Sequence, residues 1–383
     1  MIEVADKQLC CGCSACVSIC PKNCISLVED EEGFLYPKVD KANCINCNLC
    51  ESVCQFVRTS DKHIPKKVYA AKNLNEQERL NSSSGGIFIL LAREIILKGG
   101  VVFGVKFDEN FDAIHTYAES FDELKAFQRS KYVQSRIGNT YLKVRDFLKE
   151  GRNVLFSGTG CQILGLKKFL QKNYDNLFTV EIVCHGVPSP KIWKDYLNGL
   201  GLVDINEFSF RNKSNGWKNY YLEAKNNKNT IIFRDSFKTN IYMKGFLNNL
   251  FLRPSCFNCA ARQSSGSDII LGDFWGISNF LPAFDDDKGV SLVLINSSKA
   301  EEVYNSLQVE SIETKYEYAL KGNPLLEISV KKTKKREKFW RYYNKQKLNN
   351  AIKNACKDGL FVFFKKVIRW STNRLKSFFN KIY

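Results

Sequence analysis

The cysteine pattern near the N-terminus constrains this 383-residue chain more than any other feature. Ten of its 15 cysteines precede residue 55, and eight of them form two runs with the spacing C-x2-C-x2-C-x3-C. In such a double run, three thiolates of one run and the fourth of the other hold each [4Fe-4S] cluster. The spacing therefore predicts one cluster on Cys10, Cys13, Cys16 and Cys54, and a second on Cys44, Cys47, Cys50 and Cys20. A structural zinc site is the weaker alternative, because zinc takes a single set of four ligands.

The segment between the two runs, ISLVEDEEGFLYPKV, is typical of two short strands around an acidic turn. So small a unit has little core, and bound clusters would have to stabilise it. We predict an α+β ferredoxin-like double-cluster module over residues 1–58, followed by a polar linker over residues 59–67. Cys11 and Cys24 lie outside the repeat and are expected to pack as small apolar side chains. Gln55 stands where the first run is followed by Pro21.

From residue 68 to residue 330, strand-like and helix-like segments alternate, which predicts an α/β domain. The strand NVLFSG, the helix QILGLKKFLQ and the strand NLFTVEIVC are the clearest such unit. Before another predicted helix, IFILLAREIIL, stands the Ser/Gly run of residues 81–86. Its backbone amides could bind a phosphate, or the run could simply cap the helix, and the sequence leaves both interpretations open.

Cysteines also occur where strands of this domain end. The loop LFSGTGCQ resembles a nucleotide-binding turn, but its third glycine comes two positions too late for the dinucleotide fingerprint. Instead, Cys161 and Cys184 each follow a predicted strand, and the carboxyl ends of neighbouring parallel strands converge. With Cys256 and Cys259 they make four thiolates, the number a third [4Fe-4S] cluster requires. A zinc site and unrelated buried thiols remain alternatives, and His185 could be a proton donor or a structural residue.

The net charge of +17 is concentrated at the C-terminus, because residues 331–383 contain 17 Lys and Arg but two Asp and Glu. We predict a basic helical tail there. Its apolar positions, spaced three to four apart, include Leu360, Phe364, Val367, Leu375, Phe378 and Ile382. Such a helix could contact an anionic membrane surface or dock onto the large domain. Nucleic acid is not expected, because no recognition module accompanies the charge. The N-terminus lacks the pattern of a signal peptide, which favours a cytoplasmic protein with possible peripheral membrane contact.

Six motifs together resemble the coenzyme F420 hydrogenase/dehydrogenase beta-subunit family: SSSGG, RSKYVQS, LFSGTGCQ, CHGVPSP, RPSCFNC and SDIILGDFWGI. The resemblance spans residues 68–329 and implies an α/β domain holding FAD beside a [4Fe-4S] cluster. Carried over, it places the cluster on Cys161, Cys184, Cys256 and Cys259, the flavin phosphate near Ser83, Ser84, Gly85 and Gly86, and the flavin pocket at Lys131, Tyr132 and Gln134. Asp268, Gly272, Asp273 and Trp275 match a further family signature, for which core packing is the alternative. Gly160 stands where relatives commonly have proline.

The resemblance implies an FAD- and [4Fe-4S]-dependent oxidoreductase. Electrons would pass between the ferredoxin-type clusters and the flavin, and then to or from an organic two-electron acceptor. Bacterial relatives are often associated with surface-polysaccharide gene sets, which implies a role in that metabolism. The alternative is a non-catalytic electron-transfer subunit that serves a partner enzyme. The expected partner is thus a redox protein or a small-molecule acceptor, and the sequence identifies no catalytic residue.

Overall fold

The computed structural model describes residues 1–357. The strands are β1 Ile25–Glu29, β2 Leu35–Val39, β3 Lys67–Asn73, β4 Val101–Phe107, β5 Ala113–Ala118, β6 Val154–Thr159, β7 Leu177–Ile182, β8 Ile205–Asn212, β9 Tyr221–Asn226, β10 Ile231–Ser236, β11 Ile269–Asp273, β12 Ser291–Ile295 and β13 Val309–Glu313. The helices are α1 Ala15–Ile19, α2 Leu49–Ser52, α3 Glu76–Asn81, α4 Ile87–Leu97, α5 Phe121–Leu124, α6 Thr140–Lys149, α7 Gly160–Leu170, α8 Pro190–Leu200, α9 Ile241–Leu247, α10 Ser298–Asn305, α11 Tyr316–Gly322, α12 Lys334–Tyr343 and α13 Leu348–Cys356.

The N-terminal module is built on the antiparallel pair β1–β2, in which Ile25 lies opposite Val39. Each cysteine run contains a short helix, α1 or α2. The module does not stand apart from the rest of the chain, because Ala15 and Val53 are fully buried in a core that they share with Ile163 on α7. This shared core holds the first cysteine run against the helix that begins at Gly160.

The large domain has a central eight-stranded sheet in the order β13-β3-β12-β11-β7-β6-β4-β5. Its centre is parallel (β4, β6, β7 and β11), while β5 at one edge and β12 at the other side run antiparallel to their neighbours. The central strand β6 is buried almost throughout, as expected for a parallel strand covered on both faces. The helix α4 covers one face, and α6 and α7 cover the other.

A smaller antiparallel sheet, in the order β10-β9-β8, packs with α8 and α9 on a core rich in aromatic side chains, among them Trp193 and Phe210. The helices α12 and α13 join this core through Phe339 and Ile352. The first part of the predicted basic tail therefore packs against the large domain. The amphipathic pattern from Leu360 to Ile382 lies outside the described residues. Within residues 1–357, no helix has both the length and the apolarity needed to cross a membrane.

Candidate iron-sulfur and cofactor sites

The cysteines of the N-terminal module form two groups. One small cavity, of about 20 Å³, is lined by Cys20, Cys44, Cys47 and Cys50 together with Cys24. Cys16 lies near the thiols of Cys10, Cys13 and Cys54 and also near Cys50 of the first group: burial raises its pKa most, and these neighbouring thiols raise it further. Each group thus combines cysteines from both runs.

Cys11 connects the N-terminal module to the large domain. Its thiol hydrogen-bonds to both Cys13 and Cys161. Hydrogen bonding with the Cys11 thiol lowers the pKa of Cys13 to about 7 and also lowers the pKa of Cys161. The adjacent Gln55 donates from Nε2 to the Cys161 carbonyl oxygen at 3.0 Å, and its side chain also hydrogen-bonds to Cys13. Both residues lie where the first cysteine run meets the start of α7.

The four predicted thiols of the large domain line one cavity of about 40 Å³. Cys161 enters it from the first turn of α7, Cys184 from the segment after β7, and Cys256 and Cys259 from the loop around residues 254–259. Burial raises the pKa of Cys256 to about 12 and raises that of Cys184 as well. Among residues 1–357, no three His, Cys, Asp or Glu side chains converge as ligands of a single metal ion.

Gly160 packs closely beside these thiols. It is the first residue of α7, and Thr159 and Gln162 form a capping box around it. A side chain at Gly160 would place its Cβ 2.6 Å from a carboxylate oxygen of Glu181. A side chain at this position would therefore require the Glu181 carboxylate to move.

A second, larger cavity of about 670 Å³ lies next to the four thiols. Cys184 and Thr159 line both cavities. Of the residues predicted for the flavin, Ser83, Ser84, Gly86, Lys131 and Tyr132 line the larger cavity. The Lys131 ammonium donates to the carbonyl oxygens of residues 126 and 128, and desolvation lowers its pKa to about 7.

Two of the predicted flavin residues do not line this cavity. Gly85 packs against β3 and β12: its N–H donates to Ser291 Oγ at 2.9 Å, and a Cβ there would lie 2.3 Å from the Ala71 carbonyl oxygen. Gln134 faces the N-terminal module, where its Nε2 donates to the Cys11 carbonyl oxygen at 3.0 Å and its Oε1 accepts from Arg253 at 3.0 Å. The motif RSKYVQS therefore serves both the cavity wall and the contact between the two domains.

Some residues of the family signature around β11 pack in the core, and others face the larger cavity. Asp268 accepts hydrogen bonds from the Thr179 N–H at 2.8 Å and the Thr179 hydroxyl at 2.7 Å, which fits a packing role. Asp273 faces the larger cavity, where it pairs with Arg211 at 2.8 Å and accepts from Trp217 Nε1 at 2.8 Å. Trp275 stacks on Trp217, with ring centroids 4.7 Å apart.

Arg211 is the residue of this cavity that the sequence analysis missed. It is 2% exposed and lies on β8, in a segment that carries no motif. Its guanidinium carbon is 4.2 Å from the centre of the Tyr220 ring, and a second N–H donates to the Ser83 carbonyl oxygen at 3.2 Å. A single arginine on a strand has no sequence pattern that marks it as a cavity residue. The position of Arg211 in the cavity wall is known only from the fold.

His185 also lines the larger cavity, but its ring is fixed on both sides. Its Nε2 lies 2.7 Å from Asn249 Oδ1, and the ring makes an edge contact with Phe246. Burial lowers its pKa below the usual value. These contacts favour the structural role over the proton donor.

The structure thus has a cysteine-rich N-terminal module ahead of an α/β domain. Comparison with known families gives the same division. Residues 9–56 match the 4Fe-4S dicluster domain, and residues 151–318 match the family described as the C terminus of the coenzyme F420 hydrogenase/dehydrogenase beta subunit. These two matches confirm the predicted resemblance: residues 151–318 are similar to that beta-subunit domain and follow an N-terminal 4Fe-4S dicluster domain.

Other comparisons add little. No curated protein matches the chain. Among solved structures, a chain of the xenon-derivatised F420-reducing [NiFe] hydrogenase complex from Methanosarcina barkeri aligns over 70% of this chain and 91% of its own length. The identity is 15% and the TM-score is 0.47, a likeness too low to carry an argument about cofactors or partners.

Proposed function

We propose that this protein transfers electrons between the two clusters of its dicluster domain and a third [4Fe-4S] cluster beside FAD, and from there to or from an organic two-electron acceptor. The observation that carries the proposal is the adjacency of the two cavities of the large domain. One is lined by the four predicted cysteine ligands together with Cys11, the other has the size of a cofactor site, and Cys184 belongs to both.

The residues of the smaller cavity fit a cubane cluster. Cys161, Cys184, Cys256 and Cys259 supply the required four thiols from three separate segments. All four cysteines are half-buried, and burial raises the pKa of Cys184 and Cys256. Binding of a metal cluster would deprotonate these thiols and so offset the cost of burying them as thiolates.

The residues of the larger cavity fit a flavin nucleotide. Its volume of about 670 Å³ lies within the ordinary range for cofactor pockets, roughly 300–1,000 Å³. Aromatic side chains such as Tyr220 and Trp275 offer surfaces for a planar ring. The cations Arg211 and Lys131 and the Ser/Gly segment before α4 offer partners for a phosphate.

This arrangement gives the chain a chemical logic. Iron-sulfur clusters carry one electron at a time, and a bound flavin supplies the conversion between one-electron and two-electron chemistry. The protein's own residues would keep the cofactors adjacent, exclude water from the thiols and hold the phosphate. The surface-polysaccharide role implied by the resemblance stays a prediction, as does the peripheral membrane contact.

The alternative, an electron-transfer subunit that serves a partner enzyme, is supported by the surface of the N-terminal module. In the loop that carries the second cysteine run, Cys47 is exposed and Ile45 is 57% exposed. A redox partner could therefore approach this cysteine group directly. Turnover of candidate acceptors by the purified chain with a reduced donor supports the enzyme, whereas turnover that requires an added protein supports the alternative.

Anaerobic purification with iron and flavin counting tests the proposal. We expect about twelve irons from three four-iron clusters, and one FAD. The double variant Cys256→Ala/Cys259→Ala should retain about eight irons, whereas Cys356→Ala, at a cysteine on α13 far along the chain, should retain all twelve. A wild-type chain with about eight irons and no flavin would refute the assignment of the large domain.

A further inference from the structure

We propose that Arg253, a residue of the large domain, raises the reduction potential of the ferredoxin cluster that Cys10 helps to hold. Arg253 would thereby act as a positioning and tuning residue across the contact between the two domains. The inference rests on the proposed function in one respect, the assignment of Cys10 as a cluster ligand.

The guanidinium of Arg253 is buried at the first cysteine run. Its side chain is 1% exposed. Nη2 lies 3.6 Å from Cys10 Sγ, and Nε donates to the Cys10 carbonyl oxygen at 2.7 Å. The same arginine donates to the Leu35 carbonyl oxygen at 2.8 Å, and its guanidinium carbon is 4.3 Å from the centre of the Tyr36 ring. One side chain thus contacts both the sulfur and the backbone of a predicted ligand.

Two further residues fix the arginine in this position. Gln134 accepts from Arg253 Nη1 at 3.0 Å and donates to the Cys11 carbonyl oxygen. Gly12 leaves the space for the contact, because a Cβ at that position would lie 2.8 Å from Arg253 Nη1, and its φ of +71° also favours glycine. The geometry is therefore built by residues of both domains.

A buried cation beside a cysteine ligand acts in one direction. Reduction adds a negative charge to the cluster, and a positive charge within hydrogen-bond reach stabilises the reduced form more than the oxidised form. Hydrogen bonds to the sulfurs of iron-sulfur clusters are among the factors that set their potentials. Burial strengthens the effect, because neither salt nor water screens the pair well.

The position of Arg253 also relates this cluster to the large domain. Its carbonyl oxygen accepts from the Cys256 N–H at 3.0 Å, so the same residue contacts the Cys10 sulfur and holds the loop that bears Cys256. Arg253 therefore lies between the Cys10 cluster and the predicted cysteine ligands of the large domain.

The test is a reductive titration of the full chain monitored by EPR, with the Arg253→Gln and Arg253→Lys variants. Glutamine removes the charge, and we expect one midpoint potential to fall, so that the ratio of reduced to oxidised cluster at a fixed potential drops about tenfold, equivalent to about 59 mV for one electron. Lysine keeps the positive charge but lacks the planar set of N–H donors of the guanidinium, so the fall in midpoint potential should be smaller. Cys10→Ser, which changes the ligand itself, identifies the signal that should move.

Arg336→Gln is the matched control. Arg336, on α12, is also a buried arginine that contacts the N-terminal module, through Glu32 at 2.9 Å, but its hydrogen bonds are to a carboxylate and to the Leu252 carbonyl oxygen. Its loss should weaken the contact between domains and leave the potentials unchanged. An unchanged potential in Arg253→Gln with full iron content would overturn the inference, and so would an equal shift in Arg336→Gln. A wild-type chain lacking the expected irons would instead refute the proposed function.

Discussion

The ion pair between Arg211 and Asp273 allows a quantitative test of the wall of the larger cavity. Arg211 is 2% exposed and Asp273 16% exposed, and their closest atoms are 2.8 Å apart. Asp273→Asn keeps the shape but removes the charge that compensates a buried guanidinium. Removing one partner of a buried pair costs about 3–5 kcal/mol, and the partial exposure of Asp273 favours a value of about 3 kcal/mol. The guanidinium would also lose its fixed position, and the content of bound FAD should fall.

The assay is a double-mutant cycle of Asp273→Asn, Arg211→Met and both together, measured by urea unfolding under anaerobic conditions. Because the double variant leaves no uncompensated charge, it should be less destabilised than the sum of the single variants, by about 2 kcal/mol. A coupling energy below about 0.5 kcal/mol would refute the reasoning, since it would mean that water or another group compensates each charge alone.

Three further predictions follow from packing and burial. Desolvation lowers the pKa of the buried His115 from 6.5 to about 4. Below pH 6.5 the unfolded chain binds a proton that the folded chain does not, so the free energy of unfolding should fall by about 2 kcal/mol between pH 7 and pH 5. Urea unfolding at the two pH values should show this decrease in the wild type and not in His115→Gln. Gly85→Ala should lower the free energy of unfolding by about 1–3 kcal/mol, because its Cβ would meet backbone atoms of β3 and β12, and it should also reduce the content of the proposed FAD. Gly199→Ala, which has open space around it, should not destabilise the protein. Cys11→Ala and Cys24→Ala should keep the full iron count, and a loss of about four irons in either variant would make that cysteine a ligand.

Much of the fold follows from local patterns in the sequence. The helices α4 and α7 and the strands β6 and β7 lie where apolar periodicity predicts them. The antiparallel side of the sheet could not be predicted in this way. There, β3 lies between β12 and β13, which come more than 200 residues later in the chain, and no local pattern specifies such a pairing.

Some residues of the candidate sites can be predicted from local sequence patterns, and others cannot. Cysteine spacing and short motifs predict the thiols, because these residues must have a particular identity at particular positions. Arg211 lies in no motif, and Arg253, the first residue of RPSCFNC, carries no signal of its contact with Cys10. Each acts through a burial and an angle of approach that depend on segments far away in the sequence. The placement of Gln134 shows the reverse case, a residue within a recognisable motif whose contacts lie in the other domain.

The contacts of Gln55 explain why glutamine follows the second cysteine run, whereas Pro21 follows the first. At the position that proline takes after the first cysteine run, its amide joins the Cys161 carbonyl oxygen to the Cys13 side chain. Proline has no side-chain donor and could make neither contact. Together with the Cys11 thiol, Gln55 gives two direct connections between a predicted ligand of the dicluster domain and one of the large domain. The end of the second cysteine run contacts the large domain, whereas the end of the first run lies near the surface. If the two cysteine sets hold the clusters proposed above, this difference in surroundings explains why the residue after the last cysteine differs between the two runs.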